Sequence, residues 1–286
     1  MLSFATNMRA MLTTSKLLKF GYWKQSDCNI MGKHYIFTKQ ALGIDKFLEK
    51  KNEIIKQSSE EETLRFQTKM RELLAQSGHK LMLVFKQDLE KAIYVCQDKE
   101  EDIQLVQHLA CKYAKQNAKL RFGSFTFGAV LMRMCYVLNK PDVAMQWVES
   151  AELGGLFSHP SARQVLMCLL YEGGLHAQVL DVMDDLSTGR HSSVRHPRDC
   201  VVVALAAALK QGSEDSLSRG LALAQACHGT GWHSWRLYAI AGCVALKASR
   251  PDVALQLLTD TVPTTVTAVV NILMLAWCEV GRPDQA

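Results

Sequence analysis

A 35-residue self-similarity constrains this chain more than any other feature. Sliding Phe125–Gly189 along itself by 35 positions lays Val130, Leu131, Met134, Cys135, Met145, Val148 and Ala151 on Val165, Leu166, Leu169, Leu170, Leu180, Met183 and Leu186. Gly154 falls on Gly189. Each copy reads as two short amphipathic helices joined by a tight turn. A unit of that size cannot bury its apolar face alone, so copies must stack, and the period predicts an all-α solenoid of helix–turn–helix repeats. The apolar fraction of 48% is ample for a core, and 6 Pro with 17 Gly in 286 residues exclude a collagen-like or low-complexity chain. No apolar run approaches 18 residues, so no membrane span is expected.

Further copies flank these two. Leu42–Gln57 has a helical pattern, and Ser58–Ser59 before Glu60, Glu61 and Glu62 marks a second helix start. That helix is expected to bury Leu64, Phe66, Met70, Leu73 and Leu74 and to stop near Gly78. Leu81–Cys96 and Asp102–Asn117 form a weaker pair. After Gly189 a polar, basic loop reaches Arg198. Cys200–Leu209 then resumes as a nearly all-apolar helix with Ser216–Cys227 as partner, followed by Trp235–Ala248, Asp252–Leu258 and Val266–Val280. The string Pro141–Asp142–Val143–Ala144 recurs as Pro251–Asp252–Val253–Ala254 and partly as Pro283–Asp284–Gln285–Ala286. Pro cannot continue one helix, Asp suits the start of the next, and a small Ala lets the paired helices approach. The third copy stops where its second helix should begin, so the array is expected to be truncated at the C-terminus or to end in an incomplete cap. Gly174 reads as the turn inside the second registered copy, where Pro is expected to be tolerated far better than at Leu166.

Residues 1 to 26 carry Arg9, Lys16, Lys19 and Lys24 with several hydroxyls and no acid, the composition of an organelle transit peptide. The organisation expected is therefore 1–32 as transit peptide and disordered arm, 33–80 as an N-terminal helical segment, and 81–286 as the repeat array. Nine cysteines without a CxxC pair point to small apolar core residues in a thiol-reducing compartment.

Period 35, the helix–turn–helix unit and the Ala early in the second helix together resemble the pentatricopeptide repeat family. The strings Lys33–His34–Tyr35–Ile36–Phe37–Thr38, Phe125–Thr126–Phe127–Gly128, Met134–Cys135–Tyr136 and Gly155–Leu156–Phe157–Ser158 are similar to a mitochondrial member. The resemblance implies a mitochondrial matrix protein that takes part in RNA maturation and supports the respiratory chain, with single-stranded RNA and other RNA-processing proteins as partners. It also implies base reading by a side chain early in each first helix and by the last residue of the repeat. These places fall on Gly128 and His159 in one copy and on Gln164 and about Arg198 in the next. Gly128 and Val202 offer no hydrogen-bonding side chain, and Arg163 stands where the pattern has an aromatic. General RNA association is therefore expected rather than base-by-base recognition.

The formal charge of +5 permits a nucleic-acid partner. Between Asp102 and Asp142 there is no acid, while Lys112, Lys115, Lys119 and Arg121 fall there. Lys112, Lys115 and Lys119 share one helical face, with Tyr113, Phe122 and Phe125 close by. Cations that track phosphates beside aromatics that stack on bases make a single-strand surface; a solvated helix face with core aromatics has the same pattern. Arg190, His191, Arg195, His196 and Arg198 form a second cluster, in a loop. There is no GxxxxGK, HExxH or GxSxG. His108 and Cys111 lack a second ligand pair, and Asp184 with Asp185 reads as solvated. The expectation is a protein that is not an enzyme, with no cofactor, metal or small-molecule substrate. The alternative function is a protein–protein scaffold or a structural protein associated with the mitochondrial ribosome.

Overall fold

The computed structural model describes residues 36–75, 83–120, 127–189, 194–228, 234–259 and 266–285, with the backbone alone for 117–120. Among the described residues the chain is all helix, without a strand. The helices are α1 (Ile44–Gln57), α2 (Glu60–Ala75), α3 (Lys86–Val95), α4 (Glu100–Leu120), α5 (Gly128–Val137), α6 (Pro141–Glu149), α7 (Pro160–Glu172), α8 (His176–Ser187), α9 (Arg198–Gln211), α10 (Glu214–His228), α11 (Trp235–Lys247), α12 (Pro251–Thr259) and α13 (Thr267–Glu279). Short 3-10 turns occupy Gly154–Phe157 and Pro283–Gln285.

Helices α1–α10 belong to one compact unit and α11–α13 to another. The larger unit is a two-layer stack of hairpins. Its first helices pack in a row, α1 on α3, α3 on α5, α5 on α7 and α7 on α9, while α2 meets α4 and α8 meets α10 in the second layer. In the smaller unit α11, α12 and α13 pack on one another. This is the α-solenoid class that the period predicts.

One turn chemistry recurs after α5, α7, α11 and α13. After α5, Lys140 N bonds Cys135 O at 2.9 Å and Asn139 has φ 53°. After α7 the same bond runs from Leu175 N to Leu170 O at 2.9 Å, with Gly174 at φ 77°. After α11 it runs from Arg250 N to Ala245 O with Ser249 at φ 57°, and after α13 from Arg282 N to Trp277 O with Gly281 at φ 83°. A left-handed residue with a six-to-one bond is the Schellman closure, which satisfies the last carbonyls of a helix and reverses the chain. Asn139 and Gly174 are 35 positions apart, so the period is that of the turn. The Pro–Asp–Val–Ala string follows as read: Pro141 and Pro251 each open a second helix, and Ala144 and Ala254 are fully buried.

At the start of α2, Ser59 N donates to Glu62 Oε2 at 3.1 Å and Glu62 N to Ser59 Oγ at 3.2 Å, a capping box. α9 buries eight residues between Cys200 and Ala208, as its apolar run requires. The buried thiols of Cys96, Cys135, Cys168, Cys200 and Cys243 are all pushed up by desolvation, Cys96 to about 12, so they pack as small hydrophobes.

Several expectations need correction. α1 begins at Ile44 rather than Leu42, because Gly43 takes φ 71° and Arg133 Nε donates to Leu42 O at 2.8 Å. α3 begins at Lys86 rather than Leu81, with Phe85 extended before it. On α2 the inward stripe runs through Gln67 and Met70, and Leu64 falls to one side of it, 59% exposed. Gly154 and Gly189 do not share a role. Gly189 is left-handed at φ 71°, whereas Gly154 opens a 3-10 turn where a Cβ would lie 2.9 Å from Val148 O. The expected transit peptide and the stop near Gly78 lie outside the described residues.

Candidate nucleic-acid interface

The α4 cations are set by their neighbours. Lys112 is half-buried, its stem lining a small cleft with Met70, Leu73, Leu83, Val84 and Asp88. Lys115 Nζ is 2.6 Å from Glu152 Oε1, on the loop after α6, and this bond holds the Glu152 carboxyl below its usual range. Tyr113 is no stacking platform. It is buried and meets Phe127 edge-on with centroids 5.0 Å apart. Arg121, Phe122, Phe125 and the Lys119 side chain lie outside the described residues.

The places carried over from the repeat pattern come together better. Gly128, the first residue of α5, is buried so tightly against the turn before α7 that a Cβ would fall onto Leu156 O and lie 2.9 Å from its carbonyl carbon. Its lack of a side chain is a packing requirement. Cys200 Sγ lies 3.8 Å from Pro160 O, which sets the start of α9 beside the start of α7. The N-terminal ends of α5, α7 and α9 therefore form one row. Along it stand His159 and Arg198, both exposed, and Gln164, half-buried. His159 caps α7, its Nδ1 accepting from Ser161 N at 3.3 Å. Arg195, also exposed, has its Nε 3.3 Å from where a Cβ on Gly189 would lie. Helix N-termini carry partial positive charge, which the exposed Asp199 in the first turn of α9 offsets in part. Val202, next along α9, is 7% exposed.

Arg163, out of place as an aromatic, has a different task. Its side chain is 2% exposed; Nε donates to Phe157 O at 3.2 Å and an NH2 nitrogen lies 3.3 Å from Asp185 Oδ2. The cation thus ties α7 to the turn before it and to α8. Asp184 is not simply solvated either, since Arg219 Nε donates to its Oδ2 at 3.0 Å and Arg219 NH2 to Asp181 Oδ1 at 2.8 Å. Sequence reading missed these pairs, though a signal existed. Tyr136 with Glu172, Arg219 with Asp184 and Lys115 with Glu152 are spaced 36, 35 and 37 residues. Complementary groups one repeat apart face each other in a hairpin stack, as i, i+4 pairs do on a helix.

Asp185→Ala is expected to cost about 3 kcal/mol, because it leaves the Arg163 guanidinium buried without its carboxylate. Arg163→Met, which removes the charge and keeps the bulk, is expected to cost less. Urea midpoints of the two variants check the order, and a milder Asp185→Ala would show that Phe157 O alone satisfies the cation.

Among the described residues no three His, Cys, Asp or Glu come together as a metal-sized group, and no helix is long and apolar enough to cross a membrane.

The chain is similar to mitochondrial pentatricopeptide repeat-containing protein 2 of Xenopus laevis, 25% identical over 189 residues that make up 66% of this chain and 47% of that protein. It is likewise similar to the protein of the same name from Mus musculus, 27% identical over 190 residues (66% and 48%), and from Homo sapiens, 23% identical over 189 residues (66% and 46%). The chain spans about half the length of the curated relatives it matches. No protein-family model and no solved structure matches it.

Proposed function

We propose, taking the likeness to mitochondrial pentatricopeptide repeat proteins as premise, that this chain is a non-catalytic mitochondrial helical-repeat protein of the matrix that associates with single-stranded RNA during its maturation and so supports the respiratory chain. The observation that carries the reading is the row of first-helix N-termini, with His159, Gln164, Arg195 and Arg198 along it. Partial charges of the helix ends and two arginines suit a phosphate backbone, while Gly128 and Val202 leave little to tell bases apart. Lys112, Lys115, Lys119 and Arg121 remain part of the proposed surface. Lys115 contributes least, because Glu152 already compensates it.

A second reading has its own support. Besides Lys115, Lys140 is bound to Asp98 at 2.8 Å and Arg71 to Asp102 at 3.0 Å. Cations neutralised in this way fit a scaffold that holds a protein segment or docks on the mitochondrial ribosome.

The salt dependence of RNA binding separates the two. Each phosphate contact on a single strand adds roughly −0.7 to the slope of log affinity against log salt. Replacing Arg195 and Arg198 together by Gln is expected to flatten the slope by about 1.4 with helicity unchanged, whereas Lys115→Gln alone changes it by less than about 0.7. Wild-type chain that binds no single-stranded RNA at low salt moves the function to the scaffold.

A further inference from the structure

α1 departs from the pattern of the stack. Each of the other first helices packs on the first helix before it, whereas α1 lies against both α3 and α5. Its contact with α5 falls on the open side of that helix. Ala129, Val130, Arg133 and Val137, three or four positions apart, are half-buried there, opposite the buried Leu131 and Cys135. One 35-residue step carries Ala129 onto Gln164, so this is the side that presents Gln164 in the next repeat. Arg133 Nε donates to Leu42 O at 2.8 Å, and the same nitrogen lies 3.0 Å from where a Cβ on Gly43 would stand.

α1 is held in place lightly. Its buried apolar contacts are Ile44, Phe47 and, just before the helix, Leu42. The Phe47 ring meets Tyr94 of α3 with centroids 4.9 Å apart. Beyond Phe47 no residue of α1 is buried. Lys50 pairs with Glu90 and lies 5.2 Å from the Tyr94 centroid, and Lys51 Nζ donates to Cys96 O at 2.9 Å. The Lys50 pair is open to solvent and so contributes little. An element with few buried apolar contacts opens at low cost.

Arg133 is also poorly matched by what covers it. It is half-buried, and burial holds its pKa below the usual value, yet no carboxylate among the described residues lies within ion-pair distance. Leu42 O takes one of its five donors. An anion suits such a guanidinium better than a single carbonyl does.

We propose that α1 is a strap closed over an RNA-contact surface on α3 and α5. A bound single strand lifts it, a phosphate replacing Leu42 O on Arg133 and a base replacing Phe47 on Tyr94. A cation with an aromatic face is the pairing that single-strand sites use. Lifting α1 also frees Glu90 from Lys50, and that carboxylate repels phosphate, which keeps the RNA backbone on the α5 side. The inference rests on the RNA reading above and deepens it. It adds Arg133 and Tyr94 to the surface and makes affinity depend on the fraction of molecules with α1 lifted.

The test compares the full chain with its Phe47→Ala variant, which loosens α1 and leaves Arg133 in place. Both are titrated with oligo(U), and amide hydrogen exchange is followed by mass spectrometry. Oligo(U) is expected to speed exchange in Ile44–Gln57 about threefold or more while slowing it in Gly128–Val137. Phe47→Ala is expected to bind about fivefold tighter than wild type, because more molecules are open before RNA arrives. Adding Arg133→Gln to Phe47→Ala is expected to flatten the salt slope by about 0.7. Lys50→Gln, which removes only the exposed tie, replaces Phe47→Ala if that variant does not fold. Suppose oligo(U) binds wild type but leaves α1 exchange unchanged or slower, the loosened variant binds no tighter, or the double variant keeps the full slope. Any of these makes α1 a fixed member of the stack, and the inference falls while the RNA reading stands. Binding by the loosened variant alone supports the strap, and no binding by either chain brings both readings down.

Discussion

Gly128→Ala is expected to destabilise the larger unit by about 3 kcal/mol, although it adds a single methyl group. Overpacking a core usually costs about 1–3 kcal/mol because neighbouring side chains can yield. Here the neighbour is backbone: the new Cβ falls on the Leu156 carbonyl, and Phe157 Cα is 3.3 Å away. Relief requires the 3-10 turn to move away from α5. That turn holds Phe157, which is fully buried and whose carbonyl accepts from Arg163. One methyl therefore disturbs the contact of two hairpins and the anchoring of the buried cation together. A urea titration followed by circular dichroism measures the midpoint, and a shift within error would mean that α5 and the turn do not approach as closely as described. The variant also speaks to function. A conservative change at Gly128 that damages folding shows why no base-contacting side chain can stand there.

Pro at Gly174 is expected to be nearly as damaging as Pro at Leu166, contrary to what the turn assignment implies by itself. Leu166→Pro breaks the interior of α7, at about 3 kcal/mol or more, and empties a fully buried site. Gly174→Pro meets three obstacles at once. Its φ of 77° is out of reach of a ring that locks φ near −65°. Its N–H, which bonds Tyr171 O at 3.1 Å, disappears. Gly173 before it is helical, which Pro disfavours in its predecessor. Together these are expected to cost about 3 kcal/mol or more. Gly174→Asn is the control and is expected to cost no more than about 1 kcal/mol, since Asn139 already holds the same place at φ 53°. A tolerated Gly174→Pro would show that the hairpin can close through another turn.

The pattern of apolar residues and breakers determined most of the architecture without help. Two-helix units, their order, the Ser59–Glu62 capping box and the Pro–Asp–Val–Ala entry were legible because each depends on chemistry within a few residues along the chain. The likeness to a repeat family was legible for a related reason, since a stack repeats its local chemistry at a fixed spacing. What lies between repeats was decided only by the tertiary structure. Whether Lys115 faces phosphate or Glu152, whether Arg163 is an exposed substitute or a buried tie, and why Gly128 must be glycine all depend on atoms more than 20 residues away in sequence. Tyr113 shows the same division. Its place beside a run of cations fits a stacking surface, yet the Phe127 ring packed against it makes it core.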